Sequence, residues 1–318
     1  AESFYNKDLE GVVKKLEDAS LLSISNGARC VFMPEFTGKD GDPLPVIIQK
    51  TDGGYLYATT DLAAVQFRSF NLKAERSLYV VDARQSLHFQ QVFAVARKAG
   101  FASENISLEH IAYGTMMGSD GRPFKTRSGD TIKLVDLLDE AIRRAHELVS
   151  QKNSGLDEAT YLEIADKVGI ASVKYADLSK NRTSDYVFDW SSMLSFEGNT
   201  APYLMYAYAR IRSILRKQDS GLESLRITSV PESAERNLLL KIMQLPEVVD
   251  MVARDCYPNL LCNYLYELAG LFMRFYESCP ILKADAQLRD SRLALSALTA
   301  TALKQGLDLL GIETLEKM

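Results

Sequence analysis

The fold class can be inferred from residues 77–99, which read SLYVVDARQSLHFQQVFAVARKA. Residues 77–81 are rich in apolar and β-branched side chains and predict a strand, whereas residues 87–99 predict a helix. Residues 109–113 then predict another strand. Strands that alternate with helices are typical of a parallel sheet covered by helices, so the sequence predicts an α/β fold here.

The residues before this stretch are predicted to belong to the same α/β part. Residues 7–19 predict a short helix, because apolar side chains recur there at helical spacing. The other expected elements are strands at 29–33 and 45–50 around a loop at 37–42, a strand at 55–58, a turn and helix cap at 59–61, and a helix at 62–69.

Beyond residue 130 the pattern predicts helices alone. Six are expected, at residues 131–152, 158–179, 200–217, 233–255, 259–277 and 287–310. Pro246 lies inside the fourth of them and is predicted to kink or split it. Residues 180–200 read as an irregular connection anchored by Trp190 and Phe196, and are a candidate domain junction. The sequence therefore predicts an α/β part followed by an all-α helical bundle.

Composition and charge exclude several classes of protein. The chain has 318 residues, of which 47% are hydrophobic and 25% charged, which is ordinary for a globular protein and excludes a disordered or collagen-like chain. Its formal net charge is −5, so a nucleic-acid partner would need a local basic face. Four unpatterned cysteines and three histidines argue against a metal site and favour a reducing, cytoplasmic location. No apolar run approaches the roughly 20 residues of a membrane span, so we expect no membrane partner.

Polar side chains follow the ends of the predicted strands, where ligands bind in an open parallel sheet. These residues are Tyr57, Thr59, Thr60 and Asp61 after the first strand, Asp82, Arg84, Gln85 and His88 after the second, and Gly114, Met116 and the loop to Arg127 after the third. We expect them to converge on one pocket.

Asp61 and His88 each have two interpretations. Asp61 is either a helix N-cap, where Asp is favoured, or a carboxylate that faces a cationic ligand such as a guanidinium. In the second case Tyr57 and Gln85 would add hydroxyl and amide contacts, although Tyr57 could equally be an ordinary sheet residue. His88 is either a cap or structural group, or a catalytic one.

Two basic segments also have alternative interpretations. The loop at residues 114–129 combines four glycines with Arg122, Lys125 and Arg127, and is either a solvated turn or a phosphate-binding loop. The helix at 201–217 interleaves tyrosines with arginines. It is either an amphipathic helix with a solvated basic end or a surface that stacks on bases and contacts RNA phosphates.

Five segments together resemble the bacterial-type arginyl-tRNA synthetases, a class I aminoacyl-tRNA synthetase family. They are GGYLYATTD at 53–61, DARQSLH at 82–88, RPFKTRSG at 122–129, VKYADLSKNR at 173–182 and FEGNTAPY at 196–203. They occur in the family's order, and the similarity runs through essentially the whole chain.

The resemblance implies a domain organisation and an activity. It implies the remainder of a Rossmann-type catalytic domain at 1–130, a helical connecting region at 131–195 and an all-α anticodon-binding domain of the DALR type at 196–318. The implied activity is arginine–tRNA ligase: ATP-dependent activation of L-arginine and transfer to tRNA(Arg). ATP is then a substrate accompanied by Mg²⁺, with no metal site in the protein itself. We expect a cytoplasmic monomer.

The resemblance also implies roles for individual residues. Tyr57, Asp61 and Gln85 would bind arginine; His88, Gly114, Met116 and Lys125 would bind ATP; Lys125 and Arg127 would be catalytic; Tyr203, Tyr208, Arg210, Arg212 and Arg216 would bind tRNA.

The chain departs from the family pattern in two places. The loop reads Pro123-Phe124-Lys125-Thr126 where class I enzymes carry KMSK, and no His-Ile-Gly-His signature occurs. Together with the first residue, Ala1, this makes us expect a carboxyl-terminal part with an incomplete ATP site, inactive alone. The alternatives are a stand-alone tRNA-binding module and a class I synthetase for another amino acid. A neutral substrate would leave Asp61 unpaired in its pocket, which is costly.

Overall fold

The computed structural model describes residues 2–118, 120–123, 133–152, 157–218 and 225–318. The chain divides into two compact units, Ala1–Gly114 and Thr115–Met318. Each unit has its own hydrophobic core. The predicted residues Lys125 and Arg127 lie outside the described residues.

The first unit begins with a helix and a small antiparallel sheet. A 3₁₀ turn at Glu2–Asp8 leads into α1 (Leu9–Asp18), and the sheet follows in the order β1 (Leu22–Ser25), β2 (Ala28–Thr37) and β3 (Pro43–Gln49). The predicted helix and the predicted hairpin around residues 37–42 are confirmed. Strand β1 was not predicted.

A parallel strand–helix–strand unit completes this part of the chain. It consists of α2 (Tyr57–Gln66), a short π-helix at Phe67–Asn71, β4 (Arg76–Asp82), a 3₁₀ turn at Ala83–Gln85, α3 (Ser86–Lys98) and β5 (Ser107–Tyr113). Strands β4 and β5 pair in parallel over their whole length. Phe89 of α3 packs on Tyr79 of β4, with ring centroids 5.1 Å apart, so the helix covers one face of the sheet as predicted.

The strand predicted at residues 55–58 is wrong. Tyr55 forms an isolated antiparallel bridge with Gln49, and Tyr57 is already the first residue of α2. The predicted cap at 59–61 is wrong as well, because the N-cap position is Leu56 and Asp61 lies inside the helix. The physical reason is the fully buried Thr59, whose hydroxyl donates a 2.5 Å hydrogen bond to the Ile48 carbonyl and fixes the first turn of α2 to β3.

Among its described residues, the second unit is helical apart from two short strands, β6 (Met116–Met117) and β7 (Tyr186–Val187), which pair in parallel. The expectation of helices alone beyond residue 130 is therefore wrong at β7. Its helices are α4 (Leu134–Lys152), α5 (Glu158–Leu178), α6 (Trp190–Met193), α7 (Ala201–Arg216), α8 (Ser233–Met243), α9 (Leu245–Asp255), α10 (Pro258–Ser278) and α11 (Ala286–Leu309). The six predicted helices are confirmed, and Pro246 splits the fourth as expected: it lies in the first turn of α9, where its missing N–H breaks no helical hydrogen bond.

The helices of this unit pack at close range. Helices α4 and α5 approach at Gly169, where an added Cβ would lie 2.7 Å from the Ile142 backbone. A buried ion pair joins α8 to α11, with Arg292 Nε 2.6 Å from Glu235 Oε1. In the described part of the chain, no helix is both long and apolar enough to span a membrane.

Candidate functional site

Helix α2 presents two of the predicted residues on one face. Tyr57 and Asp61 are four residues apart, so their side chains lie one above the other on the helix. Tyr57 is 71% exposed and open to a ligand. The Thr59 hydrogen bond to β3 fixes the turn that carries both of them.

A hydrogen bond joins Asp61 to His88. His88 Nε2 lies 2.7 Å from Asp61 Oδ2, and the side chains of His88 and Asp61 are 29% and 28% exposed. Asp61 is not a helix cap, because it lies inside α2. Its carboxylate is partly accessible. His88, for which the sequence predicts a contact with ATP, turns Nε2 to the carboxylate of the predicted arginine site.

The carboxyl end of β4 holds the turn into α3. Asp82 accepts hydrogen bonds from the Arg84 backbone N–H at 2.8 Å and from Arg84 Nε at 2.9 Å and Nη2 at 2.7 Å. The hydrogen bonds from Arg84 lower the pKa of Asp82 to about 2. Gln85 ends the 3₁₀ turn and is exposed, three residues before His88. Tyr57 begins α2 and Gln85 directly precedes α3, and the Asp61–His88 hydrogen bond joins these two helices.

Buried aromatic residues lie close to this pair. Tyr79 is 7% exposed, and its ring packs 5.1 Å from the rings of both Phe89 and Phe93. The Arg68 guanidinium lies 4.9 Å from the centre of the Tyr79 ring. Burial raises the pKa of Tyr79, and the nearby Asp61 charge adds to that effect while Arg68 opposes it. The sequence did not predict that these residues support the site. The one signal is the alternation along β4, where Ser77 and Tyr79 are buried and Leu78 and Val80 are exposed.

The predicted ATP contacts Gly114 and Met116 belong to different units. Gly114 follows β5 at the end of the first unit. In the second unit the Thr115 and Met117 carbonyls accept hydrogen bonds from Tyr186 and Phe188, at 3.2 and 2.9 Å. Because backbone groups alternate along a strand, the Met116 N–H points away from β7.

Three of the residues predicted to contact tRNA form hydrogen bonds with Glu316, in the segment that follows α11. Tyr208 is 3% exposed, and its hydroxyl donates to Glu316 Oε1 at 3.1 Å. Arg212 Nε lies 2.8 Å from Glu316 Oε2, and Arg216 donates to the Glu316 carbonyl at 2.7 Å. Burial raises the pKa of Glu316, but the hydrogen bonds from Arg212 and Tyr208 outweigh burial and leave that pKa below its ordinary value.

Tyr203 and Arg210 belong to a different surface of α7. We call it the tyrosine–arginine surface, and it consists of Tyr203, Tyr206 and Arg210 on α7 with Tyr266 and Tyr276 on α10. Tyr203 and Tyr266 pack edge to face at 5.5 Å. The Arg210 guanidinium lies 4.5 Å from the centre of the Tyr276 ring and 5.9 Å from that of Tyr206. Tyr206 and Tyr266 are 40% and 36% exposed, so this surface offers ring faces and a cation to a partner. Spacing at 203, 206 and 210 is the signal in the sequence, because it places three residues on one helix face.

Comparison with known protein families identifies the class. Residues 1–190 match the family model described as tRNA synthetases class I (R), catalytic domain, and residues 204–318 match the DALR anticodon binding domain. The chain therefore belongs to the class I arginyl-tRNA synthetase family. This result confirms the resemblance, and with it the α/β part followed by a helical anticodon domain.

Individual relatives agree with that assignment. An arginine–tRNA ligase of Marinomonas sp. (strain MWYL1) is 59% identical over the whole chain. The chain also resembles arginyl-tRNA synthetase structures from Plasmodium falciparum (TM-score 0.83, 30% identity, 100% of this chain and 53% of that one) and Thermus thermophilus (TM-score 0.82, 28% identity, 98% and 58%). It spans about half the length, 55%, of the curated relatives that it matches.

Proposed function

We propose that this chain is part of an arginine–tRNA ligase, which activates L-arginine with ATP and transfers the arginyl group to the terminal ribose of tRNA(Arg). The observation that carries the proposal is the accessible Asp61 carboxylate, which shares a helix face with Tyr57 and is fixed by His88. Membership of the arginyl-tRNA synthetase family supports the same activity.

The charge of Asp61 fits a guanidinium. A carboxylate has about four acceptor positions, so the His88 hydrogen bond leaves room for the paired donors of arginine. Tyr57 and Gln85 would add a hydroxyl and an amide. A neutral aliphatic amino acid would fill none of the acceptor positions that His88 leaves free on the Asp61 carboxylate and would cover them from water, which disfavours a synthetase for another amino acid.

The activation step needs no side-chain nucleophile. The substrate carboxylate attacks the α-phosphorus of ATP and pyrophosphate leaves, so the protein must align the two substrates and neutralise phosphate charge. We assign the ATP contacts to Gly114, Met116 and Lys125, and the phosphate charge to Lys125 and Arg127. His88 is also predicted to contact ATP, although its Nε2 is already bonded to Asp61. Mg²⁺ would enter with ATP, because it binds substrate phosphates and keeps several of its waters. Among the residues that the structure describes, no group of three or more His, Cys, Asp or Glu could hold a metal.

The tRNA would be bound in the second unit. On the tyrosine–arginine surface, ring faces can stack on unpaired bases while Arg210 contacts phosphate. Tyr208, Arg212 and Arg216 remain predicted contacts, and we expect Arg212 and Arg216 to contribute less because both are engaged with Glu316. We propose the domain bounds 1–130, 131–195 and 196–318, and a monomer that works in the cytoplasm.

A charging assay tests the proposal. The protein at its full encoded length is incubated with total tRNA, ATP and each of the twenty amino acids in turn. We expect acid-precipitable label with arginine alone. Binding of tRNA without charging would favour the stand-alone RNA-binding module, and charging with a different amino acid would refute the arginine assignment.

A further inference from the structure

His88 presents a hydrogen-bond donor to the carboxylate of the proposed arginine site. His88 Nε2 lies 2.7 Å from Asp61 Oδ2, and an ionised carboxylate can only accept, so Nε2 carries the hydrogen and donates it. The nitrogen that would otherwise be open to a substrate is thus already committed to Asp61.

The surroundings hold both partners in place. The His88 ring packs edge-on against Phe89, with centroids 5.1 Å apart, and Phe89 is only 4% exposed. The Asp82–Arg84 pair fixes the turn that starts α3. On the other side, the buried Thr59 hydroxyl ties α2 to β3. The donor and the acceptor therefore come from two separately anchored helices.

We propose that His88 is a positioning residue for amino-acid selection: its Nε2–H sets the plane of the Asp61 carboxylate so that the free acceptor positions match a guanidinium. Paired hydrogen bonds between a carboxylate and a guanidinium require coplanar groups, so a carboxylate that turns freely would bind arginine less well. The inference rests on the proposed function, because it requires that Asp61 receives the arginine side chain.

Steady-state charging of tRNA with separately measured KM values for arginine and ATP tests this role. The protein is used at its full encoded length, with the variants His88→Ala and His88→Leu; leucine keeps the volume should the alanine variant fail to fold. We expect an increase of about tenfold in the KM for arginine, as for the loss of one hydrogen bond to a charged group, and a KM for ATP within about twofold. His88→Gln, whose amide can still donate to Asp61, should recover most of the loss. His146→Gln on α4 is the matched control and should change neither constant.

The possible results separate the role of His88 from the proposed arginine–tRNA ligase activity. A higher KM for ATP with an unchanged KM for arginine would overturn the inference and make His88 an ATP contact. A lower melting temperature with both constants unchanged would overturn it as well, because the His88–Asp61 hydrogen bond would then be structural. If the wild-type protein charges no tRNA with arginine, the proposed function fails and this inference with it.

Discussion

Replacement of Asp61 by asparagine removes one negative charge and almost nothing else. The asparagine side chain keeps an oxygen that can accept the hydrogen bond from His88 Nε2, and position 61 lies inside α2, so no helix cap is lost. The Asp61 side chain is 28% exposed, which makes it partly buried. Loss of a partly buried hydrogen bond to a charged group costs about 2 kcal/mol, so arginine should bind roughly 30-fold more weakly to Asp61→Asn.

Titration calorimetry with arginine on the protein at its full encoded length measures this loss. Glu109→Gln is the matched control, because Glu109 is a carboxylate with a hydrogen-bonded partner, 2.6 Å from Arg76, and its side chain is 32% exposed. Glu109 lies near the amino end of β5, whereas the candidate site lies at the carboxyl ends of the strands. We expect the control to bind arginine as the wild type does. An unchanged dissociation constant for Asp61→Asn would refute the role of this carboxylate in recognition.

Three further predictions concern stability and RNA binding. Gly169→Ala should destabilise the protein by about 1–3 kcal/mol in urea denaturation, because the new methyl group meets the Ile142 backbone. Gly270→Ala on α10 is the control, and because there is open space around Gly270 it should stabilise the protein by up to ~1 kcal/mol. Equal effects of the two variants would contradict the close approach of α4 and α5. Asp82 has a pKa of about 2, below its ordinary value of 3.8, so its contribution to stability is present above about pH 4 and disappears as the pH falls to 2. Thermal melting from pH 6 to pH 2 should therefore show a steeper acid loss for the wild type than for Asp82→Asn, and parallel curves would argue against the effect. Arg210→Gln should weaken tRNA binding and reduce the salt slope by about one unit, while Arg212→Gln should mainly lower stability by releasing Glu316; the reverse pattern would move the RNA contact to Arg212.

Helical periodicity explains why the helices of the second unit could be predicted from the sequence. In α10, for example, Leu261, Leu265, Leu268 and Phe272 are buried at helical spacing, so the spacing of apolar residues in the sequence reveals the helix. Strands β6 and β7 have two residues each, which is too short for any alternation to be visible.

The failure at residues 55–58 has a different cause. Tyrosine, which occurs twice in this segment, favours strands. Helix α2 also has no single apolar face, because Ala58, Thr59, Leu62, Ala63, Ala64 and Val65 are all buried. A helix that is buried on several sides shows no period. Its position depends on the hydrogen bond from Thr59 to Ile48, which only the folded chain forms.

The sequence names candidate residues for the site but not the contacts between them. Gln85 and His88 follow β4, as predicted, yet Asp61 and His88 are 27 residues apart and share no pattern that predicts their pairing. Tyr208 did carry a signal: with Leu204, Ile211 and Leu215 it forms a buried stripe at helical spacing, which indicates packing.

A crystal structure of the protein at its full encoded length with bound arginine would show directly whether Asp61 receives the substrate side chain. We expect guanidinium nitrogens within about 3 Å of the Asp61 carboxylate, with His88 Nε2 still bonded to it. Arginine bound elsewhere, with the Asp61 carboxylate contacting His88 alone, would refute the role of Asp61 in recognition.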